Sequence, residues 1–217
     1  MRHSQGYKPE TAPCCLNINI ELLFYIMRKI ILASISSRRK EIFAKTRLQF
    51  KTQKSNYKED LTSPLPPPKL AEHLSKGKAY AIATKNPNSI IIAADTFVVF
   101  GNKTVGKPKT KKQAREILRM LSGKENDIIT GVTILDGKKN NICSFHEITK
   151  VFMKNLPEKT IDAYIKMGEP MDKAGAYAIQ GLGALLIEKI DGDFFNAMGL
   201  PLARLCKELR KFGIKVL

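Results

Sequence analysis

Ser89-Ile-Ile-Ile-Ala-Ala-Asp-Thr-Phe-Val-Val-Phe100 is the stretch that decides how this chain folds. It is short and rich in β-branched residues. Asn86-Pro87 and Gly101-Asn102 bound it, so it predicts a buried strand. Asp95 interrupts the apolar run. A lone carboxylate in a buried strand costs several kcal/mol, on the order of the penalty for an uncompensated buried charge. Two readings account for it. Asp95 meets a metal, a cationic partner or a substrate, or it is only a polar residue at a turn or paired with an internal lysine.

Outward from this strand the pattern alternates. Residues 29–33 predict a buried strand, 34–39 a polar turn, 39–46 a helix and 50–55 a second strand. The proline-rich segment 63–68 reads as an irregular connector into a helix over 70–84. Downstream of Asp95, a turn at Gly101-Asn102 leads to a short return strand ending at Val105. Thr110 and Gln113 have capping-box spacing ahead of a helix over 111–121, with Ala114, Ile117, Leu118 and Leu121 on one face. Strands at 127–135 and 142–153 flank Asp136-Gly137 as a hairpin. Pro157 opens a helix to Lys166, 168–183 forms a long glycine-bearing loop, 184–190 a strand and 200–212 a closing helix. Strands and helices alternate with hairpins among them, which predicts an α/β fold with a mixed central sheet.

The 217 residues carry a formal net charge of +17. The excess is mostly lysine spread along the whole chain, without an aromatic-flanked arginine cluster, so no specific nucleic-acid partner is expected. It reads as a solvated lysine-rich surface or as attraction for an anionic ligand such as a nucleotide. The cysteines at 14, 15, 143 and 206 form no C-x-x-C pair, and the three histidines are scattered. Neither a zinc site nor a disulfide scaffold is indicated, and a cytoplasmic location fits best. Residues 14–26 are apolar but broken by Asn17, Asn19 and Glu21, too polar and short to span a membrane. No cleavage-type run of small residues follows to mark a signal peptide. Met27-Arg-Lys-Ile-Ile-Leu-Ala33 opens the first clean strand. The expected domain is therefore 27–217, with 1–26 a loose extension or a start-site artefact. Removing 1–26 is expected to move the thermal midpoint by less than ~5 °C, because no chemical motif or regular element is read there.

Three constellations carry chemistry. Ser34, Ser36, Ser37, Arg38 and Arg39 lie between a buried strand and a helix. Arginines oppose the positive end of a helix dipole, and an anion bound by the amides and guanidinium forks removes that conflict. The bland reading is a surface basic pair beside a serine cap. Val105-Gly-Lys-Pro108 holds Lys107 in a constrained turn, suited to a phosphate or simply solvent-facing. The loop 168–183 mixes glycines with Glu169, Asp172, Lys173, Tyr177 and Gln180. Gln180 both donates and accepts, which suits the edge of a base; the other reading is a packed structural loop.

Taken in order, Ile31-Leu-Ala-Ser-Ile-Ser-Ser-Arg-Arg-Lys-Glu41, Ala94-Asp-Thr96, Gly106-Lys-Pro108, Thr130-Gly-Val132, Glu169-Pro-Met-Asp-Lys-Ala-Gly-Ala-Tyr177, Ile179-Gln-Gly181 and Gly199-Leu-Pro-Leu202 resemble the Maf family of nucleotide pyrophosphatases. The resemblance implies an elongated two-lobed fold, similar to inosine triphosphate pyrophosphatases, with a substrate cleft between the lobes. It implies hydrolysis of a nucleoside triphosphate to the monophosphate and pyrophosphate. Asp95 is then the catalytic carboxylate, and Asp95 with Glu59 holds a divalent metal, Mg²⁺ or Mn²⁺. Ser34, Arg38, Arg39, Lys78, Thr96, Lys107 and Gln180 bind substrate. Arg39, Thr96 and Gln180 match the dTTP/UTP subgroup, and the absence of tryptophan disfavours the 7-methyl-GTP subgroup. Ser37 replaces the family's usual proline, and Glu59 in Lys58-Glu-Asp60 stands for its acidic pair. The resemblance also implies a homodimer. The rival class is a non-catalytic regulator of cell division that binds a partner or nucleic acid through its basic surface. Pyrophosphate release across a nucleotide panel separates the two.

Overall fold

The computed structural model describes residues 28–60, 63–139 and 141–217. The expectations for residues 1–26 lie outside them. The elements are β1 (Ile30–Leu32), α1 (Ser37–Ala44), β2 (Phe50–Thr52), α2 (Pro67–Ala83), β3 (Ile90–Phe100), β4 (Lys103–Val105) and α3 (Lys111–Leu121). They continue with β5 (Glu125–Asp136), β6 (Asn141–Met153), α4 (Glu158–Lys166), β7 (Ile187–Asp191), α5 (Phe194–Ala197) and α6 (Leu202–Leu209). One mixed seven-stranded sheet runs β2-β1-β3-β5-β6-β7, with β4 also on β3. β1 pairs parallel with β2 and β3, and the other pairings are antiparallel.

The predicted strand around Asp95 is β3, at the centre of the sheet and covered on both faces. Ile90, Ile92, Ala94 and Val98 enter the main core with Phe43, Leu118 and Leu205. The intervening Ile91, Ala93, Phe97 and Val99 face α2, against Ala79, Ile82, Leu70 and Leu74. This is the period-two alternation of a strand buried on both sides. Each fully buried leucine or isoleucine of α2 contributes roughly 1.5–3 kcal/mol.

Several boundaries depart from the sequence reading. α1 starts at Ser37, capped by Ser36, so Arg38 and Arg39 are in its first turn rather than before it. α2 starts at Pro67, inside the proline-rich connector, because a proline at the first helical positions removes an N–H that has no helical partner anyway. In the predicted loop 168–183, Glu169–Asp172 and Ala174–Ala176 are 3-10 turns, and a third turn at Gly181–Leu186 delays the following strand to Ile187. Thr110 caps α3 as expected, accepting from Gln113 N at 3.1 Å. The Gln113 side chain, however, accepts from Lys109 N at 2.7 Å instead of closing back on the cap residue. The four-residue α5, capped by Asp193, had no periodic signal.

The cleft follows from strand order. β1 pairs with β3 only as far as Leu32–Ile92, and β4 joins β3 only from Val98. β5 holds the other edge of β3 without a break from Ile90 to Val99. Between the two partial neighbours the β3 edge is open, and Asp95 lies in that gap.

Arg28 and Asp136 tie the far end of the sheet. The Arg28 fork reaches both carboxylate oxygens, Nη2 to Oδ1 at 2.6 Å, and Lys138 N and Lys139 N donate to Oδ1 at 3.0 Å each. Burial pushes the Asp136 pKa up, but the Arg28 fork and the two amides outweigh it and leave it below the ordinary value. A carboxylate lowered in the folded state adds stability above its unfolded pKa, about 3.9. That contribution is lost as pH falls through the lower folded value. Asp136→Asn is therefore expected to reduce the stability difference between pH 7 and pH 3. Urea unfolding of both proteins at the two pH values checks this; an unchanged difference would show that Asp136 adds nothing to the acid limb.

Candidate active site

The cleft encloses about 850 Å³. Its floor is β3, one wall is the turn from β1 into α1, and the other is the β4–Lys107 turn with the loop around Lys173. Asp95 and Thr96 are consecutive on β3, so their side chains leave opposite faces of the sheet. The open edge lets both reach the same cleft.

On the α2 side, Asp95 is 7% exposed and pairs with Lys78, Nζ to Oδ1 at 2.5 Å. The same ammonium reaches Glu59 Oε1 at 2.7 Å. The half-buried ammonium thus bridges both carboxylates and leaves the trio one net negative charge, and among the described residues Asp95 Oδ2 has no partner. Two close approaches make the cluster possible. A Cβ on Gly131, opposite Asp95 on β5, would sit 2.1 Å from the backbone carbon of Ala71. Only a glycine lets α2 settle on the sheet at that depth. A Cβ on Gly77 would sit 2.3 Å from the Tyr57 ring. That contact lays the segment after β2, which carries Glu59, against α2 beside Lys78.

On the opposite face, Arg39 Nε donates to Gly199 O at 2.8 Å and Nη2 donates to Thr96 Oγ1 at 2.8 Å. Thr96 Oγ1 lies 3.0 Å from Thr130 Oγ1, and Thr130 donates to Asn196 O at 3.1 Å. Burial lowers the Arg39 pKa and Arg38 adds to this, while Asp95 and Glu59 oppose it. A guanidinium keeps its proton throughout the working pH range regardless. Gly199 has φ +109°, the left-handed region that lets its carbonyl meet Arg39.

At the head of α1, Ser34 Oγ accepts from Ser36 N at 3.2 Å, and its own hydrogen is available to the cleft. Arg38 lines the cleft and makes no hydrogen bond or ion pair among the described residues. Ser36 and Ser37 at the head of α1 line the cleft beside Arg38, while the Arg39 fork is turned to Gly199 and Thr96 and does not join Arg38 there as the sequence reading expects. Lys107 is exposed on the opposite wall. Gly175 N donates to Gly106 O at 3.1 Å and fixes that turn to the long loop.

Of the predicted site residues, Ser34, Arg38, Arg39, Glu59, Lys78, Asp95, Thr96 and Lys107 all line this cleft. Gln180 does not. It is exposed and extended, at φ −124° and ψ 147°, while its neighbour Ile179 turns into the cleft wall. Glu169 also serves the loop and not the cleft. It accepts from Tyr164 Oη at 3.1 Å, Leu182 N at 3.1 Å and Gly183 N at 3.0 Å, closing the loop on itself. Tyr177 lines the cleft, but its hydroxyl is committed to Asn126 Oδ1 at 2.6 Å. The sequence reading missed Lys54 and Ser55 on the cleft wall, and Thr130 and Asn196 behind Thr96. Thr130 was visible only as part of a motif, because its partner is set by strand register. Lys173 lines the cleft and pairs with Asp172.

Among the described residues no group of three or more His, Cys, Asp or Glu side chains is placed to hold a metal ion. Asp95 and Glu59 are a two-carboxylate set. That suits a hard cation which takes its other ligands from water and phosphate, as Mg²⁺ does. No described helix is long and apolar enough to cross a membrane.

An α/β cleft with a buried carboxylate–lysine pair and converging cations defines a binder of polyanionic, nucleotide-like ligands. The Maf-like protein family matches residues 29–212, and the chain belongs to the Maf family. The protein named dTTP/UTP pyrophosphatase from Bacillus pumilus is 43% identical over 188 residues, covering 87% of this chain and 98% of its own length. Proteins of the same name from Geobacillus sp. and Methanosarcina mazei are 44% and 45% identical, covering 86% and 88% of this chain and 100% and 97% of their own. Among solved structures, the Staphylococcus aureus Ham1 protein aligns with a TM-score of 0.43 at 14% identity, over 59% of this chain and 73% of that one.

Proposed function

We propose that this chain hydrolyses dTTP and UTP to the monophosphate and pyrophosphate. The observation that carries the reading is Asp95, buried at the open edge of β3 with one oxygen held by Lys78 and the other unpaired among the described residues. The relatives named above supply the substrate class. Water attacks the α-phosphorus, the bond to the α–β bridging oxygen breaks, and Asp95 Oδ2 takes the water proton. Arg38, Lys107 and the first amides of α1 hold the triphosphate and the charge that develops on the leaving pyrophosphate. Lys78 pairs with Asp95 and fixes its direction. Asp95 and Glu59 would hold a divalent metal, which would supply charge neutralisation for the polyanionic substrate. Arg39 and Thr96 face the base. The test is pyrophosphate release from UTP, dTTP, CTP and GTP with Mg²⁺. Release confined to UTP and dTTP is expected, and none from either would sink the proposal.

A further inference from the structure

The hydrogen-bond chain behind Thr96 has only one possible direction. The Arg39 guanidinium can only donate, and the Asn196 carbonyl can only accept. Each threonine hydroxyl has a single hydrogen. Thr130 spends its hydrogen on Asn196 O at 3.1 Å, so across the 3.0 Å Thr96–Thr130 contact Thr96 must be the donor. Thr96 then accepts from Arg39 Nη2 at 2.8 Å. It has no hydrogen left for a ligand and one lone pair free. Arg39 has spent Nε on Gly199 O, at 2.8 Å, and one Nη2 hydrogen on Thr96, so among the described residues its Nη1 hydrogens remain. Side by side, the cleft offers a fixed donor and a fixed acceptor.

We propose that Thr130 is a specificity-determining positioning residue, which locks Thr96 as an acceptor beside the Arg39 donor so that the pair reads the imide edge of uracil and thymine. The proposal rests on the function proposed above. Uracil and thymine share an N3–H donor flanked by carbonyl acceptors. They differ only at the 5-position, which this pair does not read. Cytosine presents an acceptor at N3 and an amino donor at C4, so it meets Thr96 lone pair to lone pair and Arg39 donor to donor. Thr130 lies opposite Thr96 in the β3–β5 register and is fully buried, so it acts only through Thr96.

Thr130→Val keeps the shape and removes the hydroxyl. Thr96 then turns its hydrogen toward the cleft, where it suits the cytosine N3. Thr130→Val is expected to lower kcat/KM for UTP about 10-fold, mainly through KM, and to narrow the UTP:CTP preference at least about 10-fold. Thr130→Ser keeps the hydroxyl and is expected to keep the preference. A proportional loss on both nucleotides in Thr130→Val, or the narrowed preference in Thr130→Ser, would overturn the inference. The unaltered protein gives an arm that does not depend on variant folding. 3-Methyl-UTP lacks the N3–H and is expected to be a poorer substrate than UTP by at least about 10-fold. Equal use of the two would overturn the inference while leaving UTP hydrolysis itself standing. No pyrophosphate from any triphosphate would instead overturn the proposed function, and this inference with it.

Discussion

Asp95→Asn is expected to lower pyrophosphate release from UTP by at least ~10²-fold, the lower end of what proton transfer by a placed group contributes. The variant keeps the shape and an oxygen for Lys78, and removes the charge and the site that takes a proton from water. Breaking a buried ion pair by deleting one partner typically costs about 3–5 kcal/mol. Much less is expected here, because the Asn carbonyl still accepts from Lys78 and Glu59, 2.7 Å away, still balances the ammonium. The thermal midpoint should therefore move by less than ~10 °C, at roughly 2–4 °C per kcal/mol for a chain of this size. Steady-state kinetics and a melting curve on the same preparation separate the two effects. Turnover within a few-fold of the unaltered protein would remove Asp95 from the chemistry.

Gly131→Ala is expected to be strongly damaging, since among the described glycines an added Cβ there makes the shortest approach to backbone. The new Cβ would meet the Ala71 carbonyl carbon and oxygen at 2.1 and 2.2 Å, and both are backbone atoms of a helix that cannot rotate aside. Relief requires α2 to lift from β3 and β5. Overpacking of this kind costs about 1–3 kcal/mol and occasionally more, or a midpoint loss of roughly 2–12 °C. α2 also carries Lys78, so activity should fall by more than the loss of folded protein explains. Gly106→Ala is the control for stability, since a Cβ there meets nothing within 4 Å. A Gly131→Ala protein as stable and active as the parent would show that α2 does not need this close approach to build the site.

Sequence alone determined the elements whose residues carry a local signal. The β-branched run around Asp95, the Thr110 cap with its four-residue apolar face, and the long hairpin about Asp136-Gly137 are all where periodicity and turn chemistry place them. The constrained turn at Lys107 and the basic head of α1 were legible for the same reason. Each is a short segment whose charge conflicts with its setting unless a ligand is present. What sequence could not order was the pairing. That Lys78 serves Asp95 and Glu59 together depends on Gly131 and Gly77 admitting close approaches from distant segments. That Thr130 stands behind Thr96 depends on a strand register between partners 34 positions apart in the chain. The same limit explains Gln180: its chemistry suited a base, but which way an extended residue faces is set by its neighbours, and Ile179 takes the inward position. Local patterns report the free energy of a segment. Directions of side chains across a cleft are fixed only when the sheet closes and each polar atom must find its partner.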